Sequence, residues 1–364
     1  MKARFPIPRP SQRGISMVEL LVGLTISLVI SLGLFMMVAG TSNAFKVQDD
    51  FARLQENGAS ALRYLVDDIR MAGFYGNGAS VASVNLDSLP VIAADNDCGA
   101  VVAGPPARPF ALDLATPFAV RSDLTPDTVS GVFPCIAKAN FYPDSLVIVL
   151  RGATGTAAAA LDGNTLYVQS NPSQDPNTIL FRGDSFAAMK TAVQTRSFSN
   201  GDDAPIFAYQ THVYYIRPCS RPTGGLPAKP LCQGSDDGGR PVPTLVRQEL
   251  ANQKMQETAL IEGVERLNML YGIDSDNDGV ADQFTAAPAD PTQVVGGRIF
   301  VLVRTDATAS GYSDAAKSYD LGGGMTFNCT LQAAPCNVRR HVFSKITSVR
   351  NCAQRRGGGG FTSC

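Results

Sequence analysis

Residues 14–45 read GISMVELLVGLTISLVISLGLFMMVAGTSNAF, and this stretch decides how the rest of the chain is read. From Leu20 to Phe45 no side chain carries a charge, and the first one afterwards is Lys46. As a helix these 26 residues reach roughly 39 Å, longer than the ~30 Å hydrocarbon core of a bilayer. Ahead of them Lys2, Arg4, Arg9 and Arg13 give residues 1–13 a local charge of +4, while the whole chain sums to −1. A basic flank stays on the cytoplasmic side, so the remainder is expected outside the cytoplasm. A cleaved secretory signal is the competing reading, with Ser42-Asn43-Ala44 as its cut site. Such signals carry apolar runs of about 7–15 residues, and this one is longer.

Glu19 interrupts the start of the run, and a carboxylate in or near a bilayer is costly unless it is paired or interfacial. Gly14-Ile15-Ser16-Met17-Val18-Glu19-Leu20-Leu21 supplies a reason for it. The pattern of short basic leader, Gly, apolar stretch and Glu at its fifth position resembles the leader of type IV prepilins. The resemblance implies that a prepilin peptidase cuts between Gly14 and Ile15 and methylates the new terminus. Glu19 then becomes the fifth mature residue and sets register by neutralising the terminal amine of a neighbouring subunit in a filament. Ile15 stands where the family more often has Phe or Met. On this reading residues 1–14 are leader and 15–45 are a membrane and filament-core helix.

Beyond Lys46 the helix is expected to continue. Phe51, Leu54, Gly58, Ala61, Leu62, Leu65 and Ile69 recur at steps of three and four, which makes one apolar stripe. Asp49, Asp50, Arg53, Glu56, Arg63, Asp67 and Arg70 flank it, and no proline interrupts residues 14–71. Gly73 and Gly76 are natural stops, so the amphipathic part is set at 46–76.

With 364 residues, 45% hydrophobic and 17% charged, the chain is long enough to bury a sizeable core. Disorder is disfavoured, and a pI near 6.1 gives no basic excess for nucleic acid. Strand signals occur at Leu146–Arg151, Thr165–Gln169, Pro205–Arg217, Gly297–Arg304 and Val338–Val349, rich in β-branched and aromatic residues. Residues 73–145 read as a long connecting region with short elements, and 218–243 as an exposed Pro/Gly loop. The expected fold is α+β and pilin-like: a long N-terminal helix packed on a β-rich domain, 77–350, with antiparallel sheet. A Gly-rich tail, 351–364, follows.

The eight cysteines are Cys98, Cys135, Cys219, Cys232, Cys329, Cys336, Cys352 and Cys364. None forms a CxxC pair, and two histidines are too few for a mixed zinc site. An even set in loops points to disulfides in an oxidising compartment, with reduced buried thiols as the alternative. The shortest closures are Cys219–Cys232, Cys329–Cys336 and Cys352–Cys364.

Several stretches resemble W-type minor pilins (PilW) of type IV pili. They are Asp67-Asp68-Ile69-Arg70-Met71-Ala72-Gly73-Phe74, Thr244–Leu250, Leu260–Glu265 with Leu270-Tyr271-Gly272, the acidic loop from Asp274, Gly297–Thr305, and Arg339-Arg340-His341-Val342-Phe343. The resemblance implies a structural subunit of pilus assembly and no enzyme. It implies an inner-membrane start and a final place in a surface pilus. Its partners would be prepilin peptidase, other minor pilins, the major pilin, the inner-membrane assembly platform and a tip adhesin. The related J-type pseudopilins of type II secretion share the plan, and a membrane-tethered calcium-binding adhesin is a rival of another class.

The calcium rival rests on Asp274-Ser275-Asp276-Asn277-Asp278-Gly279-Val280-Ala281-Asp282. Carboxylates at positions one, three, five and nine, Gly at six and the Val280 carbonyl at seven match the start of an EF-hand loop. Position twelve is Thr285 instead of the bidentate Glu, and a metal-free Asp/Gly turn accounts for the same residues. No cofactor is required. Arg182-Gly183-Asp184 and Gly183-Asp184-Ser185 are short motifs expected by chance, and neither His212 nor His341 has catalytic context.

Overall fold

A computed structural model describes residues 14–76, 84–85, 92–93, 96–102, 108–157, 160–171, 175–185, 204–226, 229–290, 293–309, 311–332, 334–349 and 351. Residues 1–13, most of the expected leader 1–14, and Cys352, Cys364 and the Gly-rich tail lie outside the described residues. The chain divides into two compact units, Met1–Ala52 and Arg53–Cys364.

Helix α1 runs without a break over Met17–Met71. Ser16 caps it: its hydroxyl accepts from the Val18 N–H at 3.4 Å, and Leu20 N–H donates to the Ser16 carbonyl at 3.0 Å. In the first unit its apolar side chains are exposed from Met17 to Phe45, as a membrane or filament segment requires. α1 is long and apolar enough to cross a membrane.

In the second unit the predicted stripe faces inward. Leu54, Gly58, Ala61, Leu62, Leu65, Val66 and Ile69 are buried, while Phe51 stays exposed. Each large apolar side chain buried here stabilises by about 1.5–3 kcal/mol. Gly58 has a specific use: a Cβ there would overlap the ring of Phe343, so the missing side chain lets helix and sheet approach.

Two sheets receive the helix. The larger joins β1 (Val84–Asn85), β2 (Phe118–Arg121), β3 (Val147–Ala157), β4 (Leu166–Asn171), β5 (Asp175–Arg182), β6 (Ile206–Arg217), β9 (Thr244–Ala251) and β10 (Lys254–Glu262). Between β6 and β9, β7 (Gly224–Leu226) and β8 (Lys229–Leu231) form a separate ribbon. β6 is the hub: it pairs antiparallel with β3, β4 and β9, and β10 adds to β9. Among the described residues only the short β1–β5 pairing is parallel. The smaller sheet has the order β12 (Gln283–Thr285), β11 (Val264–Ile273), β13 (Val294–Arg304), β16 (Arg340–Ser348), all antiparallel. A two-stranded ribbon, β14 (Tyr319–Asp320) with β15 (Thr326–Phe327), precedes β16.

Side-chain alternation sorts these strands into layers. Ile148, Leu150, Tyr214, Ile216 and Leu245 of the large sheet join Leu267, Met269, Ile299, Val301 and Val303 of the small one beneath α1. The intervening Val147, Val149, Val213, Tyr215 and Val246 face the opposite core with Leu112, Leu114, Phe133 and Ile136. On the far side of the small sheet, Leu270, Phe300 and Leu302 pack with Leu321 and Phe327. The antiparallel α+β reading therefore holds, and all five expected strands are present.

Two expectations are corrected. The described part of 73–145 is more than a connection: it covers the outer face of the large sheet, held by Arg151, which donates to the carbonyls of Phe110 and Thr116. The 218–243 segment is also partly internal. Cys219, Asp236 and Val242 are buried, and Asp237 accepts from the N–H groups of Ser220, Arg221 and Val242. Proline and glycine content marked both segments as loops, but carboxylate acceptors let their backbones be buried. Disulfides Cys219–Cys232 and Cys329–Cys336 form as expected, and Cys98–Cys135 is a third. The Cys352–Cys364 pairing lies outside the described residues.

Candidate functional site

The N-terminal junction is simple in form. Gly14 and Ile15 precede the helix and are exposed, and nothing lies within 4 Å of where a Gly14 side chain would start. Glu19 falls in the first turn of α1, three residues after its Ser16 cap. A carboxylate there is favoured by the positive end of the helix dipole, and Ser-x-x-Glu is the capping-box spacing. The sequence reading credited Glu19 only with register. The local signal, Ser16, directly follows Gly14-Ile15 in the sequence.

The acidic loop joins β11 to β12, with strands instead of the flanking helices of an EF-hand. The carboxylates of Asp274, Asp276 and Asp278 each bring an oxygen within 4.8 Å of the others. Asp274 is buried and accepts from the N–H groups of Asn277 at 2.6 Å and Gly279 at 3.0 Å. Gly279 has φ +86°, a turn that glycine makes without strain. Asp282 is turned elsewhere: its carboxylate takes the N–H and hydroxyl of Ser275, which hold its pKa below the usual value. Three hard oxygen donors in a turn fit a calcium-type ion, with the Val280 carbonyl next in the loop.

The basic closing strand is not a surface feature throughout. Arg340, which the sequence groups with neighbouring Arg339 and His341, is buried between two acids. Its guanidinium donates to Glu265 at 2.6 and 3.1 Å, to Asp314 at 2.7 Å and to the Pro335 carbonyl at 2.8 Å. Arg304 lies 3.7 Å from the same Glu265. Burial pulls the Arg340 pKa down, but Glu265 and Asp314 outweigh it and hold it above normal. A second buried cluster docks α1. Asp68 accepts from His212 and from the Tyr214 hydroxyl on β6. Burial pushes the Asp68 carboxyl up, and the His212 and Tyr214 contacts overcome it, leaving the pKa below 3.8. His212 thus ties β6 to α1, and His341 is exposed beside Phe343. Arg182 and Asp184 of the short Arg-Gly-Asp stretch pair with each other.

A long apolar-then-amphipathic helix, packed in its second half on antiparallel sheet, defines a pilin-like protein. Two family models match this chain. Residues 9–35 match the prokaryotic N-terminal methylation motif, and residues 232–351 match type IV pilus-assembly protein W. The chain thus carries a prepilin-type N-terminal motif and a segment similar to PilW, and the pair supports a minor-pilin role in the type IV pilus. The PilW match spans β9–β16, the acidic loop and the Glu265–Arg340 cluster. No curated protein and no solved structure matches the chain.

Proposed function

We propose that this chain is a structural, non-enzymatic minor pilin that initiates type IV pilus assembly within a tip-proximal complex of minor pilins. The observation that carries the reading is a prepilin-type junction continuous, through one helix, with a PilW domain. Prepilin peptidase cuts between Gly14 and Ile15 and methylates the new amine while the chain spans the inner membrane once, N-terminus inside. The helix then leaves the bilayer for the filament. Glu19, now the fifth residue, neutralises an adjacent terminal amine, which offsets the cost of burying its charge. The major pilin, the assembly platform and a tip adhesin complete its surroundings. Deletion should abolish or sharply reduce surface pili, wild-type chain should restore them, and Glu19→Ala should be cleaved yet fail to restore them. Normal piliation in the deletion, with exoprotein secretion lost, would instead assign the chain to a type II secretion pseudopilin.

A second reading, calcium binding at the acidic loop, is favoured by the convergence of Asp274, Asp276 and Asp278 within 4.8 Å. These residues and the Val280 carbonyl would hold the ion, with Asp282 joining only on release from Ser275. Calorimetry of the detergent-solubilised chain should give saturable calcium uptake that Asp276→Asn with Asp278→Asn removes. Equal heats from the two proteins would reject the site.

A further inference from the structure

Arg266 on β11 is buried, its side chain 4% exposed, but it is paired differently from its neighbours. Arg340 is clasped by two carboxylates, whereas the carboxylate nearest Arg266, Asp144, stands at 4.0 Å and is 71% exposed. The guanidinium lies against the ring of Tyr142 at 4.6 Å and that of Phe327 at 5.2 Å. It also donates to the Glu265 carbonyl at 3.1 Å. A guanidinium has five N–H donors in a rigid fork, so these contacts leave capacity for an anion.

Arg266 lines a cavity of about 480 Å³ where the loops before β3 meet the β14–β15 ribbon. Ser122, Thr125, Ser145, Thr326 and Gln332 surround it with further donors. Leu124, Leu146 and Met325 supply apolar wall. Of the two acids at the cavity, Asp123 is held by a bidentate pair with Arg121, at 2.8 and 2.7 Å. Asp144 is then the only nearby carboxylate left to compete for Arg266 among the described residues.

We propose that this cavity is a carboxylate-binding pocket whose occupant is an acidic peptide side chain. The fork of Arg266 takes the carboxylate, the hydroxyls and Gln332 complete its hydrogen bonds, and the apolar wall accepts the methylene stem. A dianion such as phosphate fits less well, because Asp123 and Asp144 border the mouth. The ligand chemistry stands apart from the pilus reading; only a neighbouring subunit as its source rests on it.

The test uses the full chain in detergent micelles with ¹⁵N-labelled arginine, following the Arg266 Nε–H signal. N-acetyl-glutamate methylamide should shift it saturably, and the glutamine analogue should not. Asp144 has φ +53°, which Asn tolerates, so Asp144→Asn keeps the fold and removes the internal competitor. It should tighten capped glutamate by about tenfold, while Arg266→Lys, with an unchanged melting temperature, should weaken it by at least about tenfold. No saturable shift in wild type or Asp144→Asn, or equal responses to the two analogues, would overturn the pocket. Succinate binding about tenfold tighter than capped glutamate would overturn the peptide source and leave a small-acid site.

Discussion

Glu265, Arg340 and Asp314 form a buried charge cluster in which every member depends on the others. Removing one partner from such a set strands the rest, which costs about 3–5 kcal/mol. Arg340→Met is expected to lose stability on that scale in a denaturant titration, while Arg339→Met, one residue away, should lose under about 1 kcal/mol. Asp68 gives a pH signature. Its folded pKa lies below 3.8, so its stabilisation is present above that value and fades as pH falls through the folded pKa. Wild type should therefore exceed Asp68→Asn by roughly 1.5–3 kcal/mol at neutral pH, and the gap should close below about pH 4. A gap that stays constant down to about pH 3 would contradict the Asp68–His212 contact as the source. Such residues were hard to read in advance. Arg340 sits in an Arg-Arg-His run that looks like a solvated face, and only the acids supplied by β11 and the loop before β14 make it internal.

At the scale of elements, legibility followed periodicity. α1 was read almost to its ends because one apolar run and one three-four stripe have no other use. β3, β4, β6, β13 and β16 were read from β-branched and aromatic runs. β9, β10 and β11 were recognised only as family-like segments, because Arg247, Glu249, Glu257, Arg266 and Asn268 break their apolar pattern. Those polar residues point into ion pairs and hydrogen bonds within the fold, as with Arg217–Glu257, Arg247–Glu249 and Asn268 to the Leu321 carbonyl. Gly58, a member of the apolar stripe, is where the Phe343 ring packs against the helix. Gly58→Leu should raise local helix propensity but destabilise the protein by about 1–3 kcal/mol through overpacking, measurable as a lower denaturation midpoint. A companion Phe343→Ala should recover part of that loss. Replacing Cys219 and Cys232 together by Ala should cost about 3 kcal/mol from a loop of 13 residues. Thermal melting of the non-reduced proteins would check it.

At the scale of the whole molecule, the net charge of −1 hides two segments of opposite charge. Residues 1–13 hold +4, and the rest of the chain, at −5, carries the folded domain and its disulfides. The general role was legible because a leader, a glycine, a glutamate and an apolar run coincide in one short window. The outer layer over the large sheet and the Arg266 cavity were not, since both depend on contacts between segments far apart in sequence. The central claim is that residues 1–14 are removed by prepilin peptidase and that the chain matures from Ile15. Intact-mass analysis of the full chain, expressed with and without the peptidase, tests it most directly. The account predicts, only with the peptidase present, loss of the mass of residues 1–14 and gain of one methyl group on Ile15. An unchanged mass with active peptidase, or a cut beside Ser42-Asn43-Ala44, would contradict it.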